Sequence, residues 1–224
     1  MIAAMHGPCA EQVAGSVQFV PIGRLRTSFA ALRPGCVAPR LDGAAELPLR
    51  VAPCSDVADG TIFEVVDGFK RLERWREQGH TTVPVVVEAP ARAVELKRLM
   101  LVVNAPACTR TVMDEARVVC SLIDHDGMKP GEVARLLGRK RTWVAVRQAI
   151  GTRLSPTAEQ LVAAGKVATT LAHALTALGG DEQDAVLDSI DKHGLNARES
   201  TMLMDAYRAA DPTDRKQLLR STLE

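Results

Sequence analysis

The sequence predicts an α+β module followed by an all-α domain that contains a helix-turn-helix. Three observations predict it. Short β-branched runs set off by Gly and Pro are confined to the first hundred residues. After Asn104 every segment has helical spacing, interrupted mainly at glycines. Within that helical part, Met128 to Lys166 holds eight cations (Lys129, Arg135, Arg139, Lys140, Arg141, Arg147, Arg153, Lys166) against two carboxylates, Glu132 and Glu159.

Taken in order, residues 1–16 read as a loose tail. Val17 to Ile22 is a first strand or extended entry. Arg33 to Pro48 has three prolines and two glycines and reads as loop. Pro48 to Pro53 is a short strand. Thr61 to Val66 is a stronger one, preceded by an Asp59-Gly60 turn and ended by Asp67-Gly68. Phe69 to Gln78 is helical by the Leu72/Trp75 spacing, with Gly79 as its C-cap. Val83 to Val87 is a strand in which Pro84 suggests an edge or a strand start. Ala91 to Val102 returns to helical spacing. These elements make a module of three or four strands over 17–103. Val112 to Asp124 then opens the helical domain, 104–224, whose breaks are expected at Gly127, Gly138, Gly151 to Pro156, Gly165, Gly179-Gly180 and Gly194.

A chain of 224 residues can bury a core without staples. Only 3% of it is aromatic, so aliphatic residues must fill that core. The five cysteines (9, 36, 54, 108, 120) are odd in number and form no C-x-x-C, and the five histidines do not cluster. This argues against a disulfide framework or a metal site. No apolar run reaches the ~18 residues of a membrane span, and the first sixteen residues lack a signal-peptide pattern. A cytoplasmic, nucleoid-associated location is the expectation. The formal net charge is +1, so the basic cluster is local, and a local basic stripe is the footprint expected for a phosphate backbone.

That stripe coincides with MKPGEVARLLGRKRTWVAVRQAI, Met128 to Ile150. Lys129-Pro130 suits a helix start. Ala134 is small where two helices would pack closest. Gly138 sits where a tight turn needs a left-handed residue. Val144 is the apolar clamp from the second helix, with Val133, Leu136, Leu137, Val146 and Ile150 as further apolar positions. The helix-turn-helix is placed at 130–149. The second helix begins near Arg141, and its first turn would enter a major groove, where Arg pairs bidentately with guanine. Lys140, Arg141 and Thr142 are the candidate base contacts. Arg139 and Arg147 are candidate phosphate contacts, and Lys166 joins them as a DNA-binding candidate. Trp143 is expected to pack under the second helix.

With these residues in place the chain resembles the ParB/RepB family of partition proteins. The landmarks run in family order: PheGluValValAspGlyPheLysArgLeuGluArgTrp (63–75); Gly79 with Val83 to Val87; Asn104 ahead of Glu115-Ala116; the helix-turn-helix; Gly165-Lys166-Val167-Ala168; and LeuAsnAlaArgGlu (195–199). The resemblance implies a sulfiredoxin-like N-terminal module that can bind CTP with magnesium and close a clamp on DNA. It carries Gly68 and Arg71, and also Asn104, over as nucleotide-binding candidates. A strand–Gly–helix junction offers backbone N–H groups and an Arg offers a fork for phosphate. Two departures bear on that half. Phe69 and Lys70 replace an acidic residue and an Arg of the family's motif. Val103-Asn104-Ala105-Pro106-Ala107 keeps the Asn of another motif but neither its acidic residue nor its Arg, and Mg²⁺ needs oxygen ligands. The stretch Arg33 to Pro48 is shorter and richer in proline than is usual for the family, and no sequence remains after 224 for a C-terminal dimerisation domain.

The implied function is sequence-specific binding of double-stranded DNA in partition of a plasmid or mobile element, or in its regulation. No catalytic or metal-binding residue and no certain cofactor are assigned. A homodimer and a ParA-type or transposition ATPase are the implied partners. The alternatives are a CTP-dependent clamp that hydrolyses nucleotide, with Glu64 and Asp67 as its nearest carboxylates, and an adaptor that docks protein without binding DNA.

Overall fold

A computed structural model describes residues 17–33, 47–54, 62–102 and 111–220. The expected tail, the Asp59-Gly60 turn, most of the proline-rich loop and Asn104 lie outside these residues. The chain forms two compact units. One comprises residues 1–27 and 43–91, the other residues 28–42 and 92–224.

The first unit is a five-stranded sheet. Its strands are β1 (Val17–Pro21), β2 (Leu25–Arg26), β3 (Leu49–Pro53), β4 (Phe63–Asp67) and β5 (Thr82–Val87), in the order β1-β5-β3-β4-β2. β5 runs antiparallel to β1 and parallel to β3, while β4 is antiparallel to β3 and parallel to β2. The two-residue β2 carries no sequence signal of its own and joins the three or four strands expected. Pro84 sits in an inner strand, opposite Phe19 of β1. The ladder to β3 begins only at Val85, so at Pro84 the strand is flanked on one side, as at an edge. Helix α1 (Phe69–Glu77) buries Phe69, Leu72 and Trp75, the helical spacing read from the sequence. Leu49, Val51, Val65, Val66 and Val85 are fully buried in the sheet. Each such side chain contributes about 1.5–3 kcal/mol on leaving water.

The second unit is helical: α2 (Ala93–Val102), α3 (Val112–Asp124), α4 (Pro130–Leu137), α5 (Arg141–Arg153), α6 (Pro156–Ala163), α7 (Thr169–Leu175), α8 (Gly180–Lys192), α9 (Ala197–Ala209) and α10 (Pro212–Arg220). α2, expected with the strands, belongs to this unit, as does the short 3₁₀ turn Ala30–Leu32. Lys97 of α2 is almost fully buried, and its ammonium meets Asp126 at 2.5 Å and stands 5.7 Å from the centre of the Phe29 ring. α3 is the spine of the unit. Met113 and Ala116 face a cluster with Ile150, Ala158, Leu171, Leu175 and Val186. Val118, Val119 and Leu122 face a second cluster with Val133, Ala134 and Val144.

Local chemistry sets the helix ends. Thr111 and Asp114 form a capping box on α3, and Asn196 and Glu199 form another on α9. The LeuAsnAlaArgGlu landmark is therefore a helix start. One expected break is displaced: α5 runs through Gly151 and ends at Arg153. Gly151 is the point where α5 crosses α3. A Cβ there would meet Cys120 Sγ at 2.6 Å and the Ala116 carbonyl oxygen at 3.3 Å.

Candidate nucleic-acid interface

α4 and α5 form the expected hairpin. Pro130 stands in the first turn of α4, and Lys129 N–H donates to Glu132 Oε2 at 2.9 Å. Gly138 ends the helix at φ 62°, ψ 34°. An L side chain strains there, and Gly138 does not. The Gly138 and Arg139 amides then donate to the carbonyls of Arg135 and Ala134, closing the turn. Val144 is fully buried against Val133 and Ala134, which fixes α5 on α4 and α3.

The turn and the first turn of α5 carry Arg139, Lys140, Arg141 and Thr142, all exposed. Among the described residues, Arg139, Lys140 and Arg141 form no ion pair with a carboxylate. The start of α5 has no side-chain cap and no acidic residue in its first turn. The starts of α3, α6, α8 and α9 all carry an acid. An uncapped helix start with three cations around it attracts anions. An open hollow of about 540 Å³ lies here, lined by Arg139, Lys140, Thr142, Trp143, Val146 and Arg147.

Trp143 is partly buried against the core, and the guanidiniums of Arg139 and Arg147 stand over its ring, 5.4 and 4.8 Å from the centroid. The i, i+4 spacing of Trp143 and Arg147 on α5 is legible in the sequence, while Arg139 reaches the ring from the turn before the helix. Arg147, expected beside phosphate, is turned inward. Its Nε and Nη2 both donate to Glu115 Oε2 of α3 at 2.7 Å, with both side chains only 12% exposed. Sequence reading has Glu115 only as a landmark with Ala116 and missed its pairing with Arg147, which lies 32 residues away and has no local pattern. Lys166 is exposed on the α6–α7 connection, apart from the hairpin turn in sequence.

Two of the three nucleotide candidates, Gly68 and Arg71, sit in the sheet unit, and Asn104 lies outside the described residues. Gly68 adopts φ 97° at the β4–α1 junction, and a Cβ there would lie 2.5 Å from Leu49 Cδ2 and 2.9 Å from Arg71 Nη2. Arg71 donates to the carbonyl oxygens of Leu47 (2.6 Å) and Pro48 (2.9 Å) and to Asp67 Oδ2 (2.8 Å). Burial pulls its guanidinium below the ordinary arginine range, and the Asp67 carboxylate opposes that shift. The space beside Gly68 is thus filled by the chain itself, and the Arg71 fork is spent on the protein. Glu64 is buried in β4 and Asp67 is held by Arg71. Among the described residues, no three His, Cys, Asp or Glu side chains are grouped to hold a metal, and no helix is long and apolar enough to cross a membrane. The residues described at this junction do not fit a magnesium nucleotide.

Comparison with known proteins bears on the helical unit first. Residues 110–209 match a protein-family profile described as the ParB HTH domain. The probable chromosome-partitioning protein ParB of Coxiella burnetii is 26% identical over 150 residues, covering 67% of this chain and 51% of that protein. Stage 0 sporulation protein J of Bacillus subtilis is 23% identical over 158 residues, covering 69% and 55%. The chain therefore spans about half the length of the curated relatives it matches. Among solved structures, C-terminally truncated chromosome-partitioning ParB from Caulobacter crescentus, complexed to the centromeric parS site, is 21% identical. That match covers 84% of this chain and 99% of that one, at a TM-score of 0.47.

Proposed function

Since residues 110–209 match the ParB HTH domain, we propose that the chain is a ParB-type protein that binds double-stranded DNA sequence-specifically through α5. The observation that carries this is the exposed run Arg139-Lys140-Arg141-Thr142 at an uncapped helix start held rigidly by Val144. In this reading Lys140, Arg141 and Thr142 face base edges, and Arg139 and Lys166 face phosphates. Arg147 holds α5 in place through Glu115. One short helix reads few base pairs, so two copies on a two-fold site are the fitting assembly. Partition of a plasmid or mobile element, with a ParA-type or transposition ATPase as partner, is the process this reading suggests.

Selection of bound duplexes from a random pool defines the site. On it, Arg141→Ala is expected to weaken binding by about 1–3 kcal/mol and to relax preference at one base pair. The affinity of the parent chain should fall with salt at a slope of about −0.9 per phosphate contact. A flat salt dependence would rule DNA out and favour the protein-docking alternative.

For the sheet unit we infer that Gly68 and Arg71 serve the fold and not a nucleotide. Adding CTP with Mg²⁺ is therefore expected to leave the thermal midpoint unchanged, because only a ligand that binds the native state raises it. A midpoint that climbs with CTP concentration, and only when Mg²⁺ is present, would restore the clamp alternative.

A further inference from the structure

We propose that a small residue at position 131, here Gly131 in the first turn of α4, lets Arg141 set DNA specificity by leaving room for its side chain. This rests on the reading of α5 as the recognition helix. A Cβ built on Gly131 would stand 3.4 Å from Arg141 Nε, 3.5 Å from Nη2 and 3.6 Å from Cζ. Three atoms of one guanidinium at nearly equal distance mean that the group lies broadside over the glycine. The first residue of α5 is therefore laid against the first turn of the preceding helix.

The backbone does not demand glycine at this position. Gly131 is not in the left-handed region, unlike Gly138, and alanine would favour the helix by about 1 kcal/mol. What a small residue provides here is an open face. An exposed arginine otherwise samples many rotamers, and resting its guanidinium on backbone removes part of that freedom before DNA arrives. Arg141 is exposed and has no carboxylate partner among the described residues, so its fork stays available for bidentate pairing.

Position 131 can then be used to evict or capture Arg141. An alanine methyl would make ordinary contact with the guanidinium. A glutamine would occupy its place, and a glutamate would occupy it and also pair with the charge. Glutamate is favourable in the first turn of a helix, so the fold is kept.

The test measures the affinity ratio between the selected duplex and one altered at the base pair that Arg141→Ala relaxes. Gly131→Ala is expected to keep the ratio. Gly131→Gln and Gly131→Glu are expected to lower it by about tenfold, towards the Arg141→Ala value. In the Arg141→Ala background neither should lower it further. A ratio unchanged in both Gly131→Gln and Gly131→Glu would overturn the proposal. A second readout needs no DNA. In the free protein the Arg141 Nε–H resonance, assigned by its loss in Arg141→Ala, should shift in Gly131→Gln. If that resonance shifts but the parent chain shows no base preference, the recognition-helix reading fails and the packing contact stands. If the resonance stays put, the contact itself is refuted.

Discussion

Gly151→Ala is expected to destabilise the helical unit by about 1–3 kcal/mol, although alanine is the better helix former by about 1 kcal/mol. The reason is the crossing of α3 and α5. The new methyl would meet Cys120 Sγ at 2.6 Å and the Ala116 carbonyl oxygen at 3.3 Å. The first contact is impossible without movement, and the second sits on backbone that cannot turn aside. The sulfur is itself confined. Burial, with the Asp124 carboxylate adding to it, pushes the Cys120 thiol up to about 11, so it behaves as a packed apolar group at neutral pH. Cys120→Ala removes the sulfur and should absorb most of the damage. In that background Gly151→Ala is expected to be close to neutral, a coupling of about 1–2 kcal/mol in the cycle. Urea midpoints followed by helical circular dichroism measure all four corners. Equal losses in both backgrounds would show that the crossing is looser than the distances indicate.

Glu115→Ala is expected to be the more damaging single change, costing about 3 kcal/mol. It strands the Arg147 guanidinium between α3 and α5, where each partner is 12% exposed. Breaking one side of such a pair costs far more than removing both. The double variant Glu115→Leu, Arg147→Met should therefore recover most of the loss by packing. The same protein decides the role of Arg147. If Arg147 only anchors α5, the double variant keeps the salt slope of DNA binding. If Arg147 touches phosphate, the slope falls by about 0.9.

Elements with a local signature were legible in the sequence. The Phe69–Glu77 helix, the Gly138 turn and the buried Val144 follow from periodicity and from one residue's φ. The exposed cations at the start of α5 follow from charge clustering. What was not legible depends on partners far away in the chain. Gly151 reads as a helix breaker by propensity, and only the approach of Cys120 shows it to be a spacer. Arg147 reads as a phosphate contact because it is a cation on the second helix of the hairpin, and its pairing with Glu115 has no local signature. The burial of Lys97 on Asp126, 29 residues on, has no sequence signal either. Arg71 is carried over by the resemblance as a nucleotide contact, and the partners its donors meet, Leu47, Pro48 and Asp67, have no signature in the motif. In each case the decisive partner is a residue that no local pattern points to.

The path of the chain between its two units has a consequence for recombination and for protein engineering. The helical unit claims residues 28–42 as well as everything from Arg92 onward, and residues 43–91 return to the sheet. Phe29 and Leu32 are part of its packing, through Lys97 and the Val133–Val144 cluster. In genetic terms the sheet is interrupted by a segment of its neighbour, so one crossover cannot exchange either unit whole. A chimera joined once near residue 104 would inherit the Asp126 carboxylate from one parent and its buried lysine from the other. A faithful graft of the helical unit needs three junctions, with Phe29 and Leu32 travelling alongside the helices they pack on.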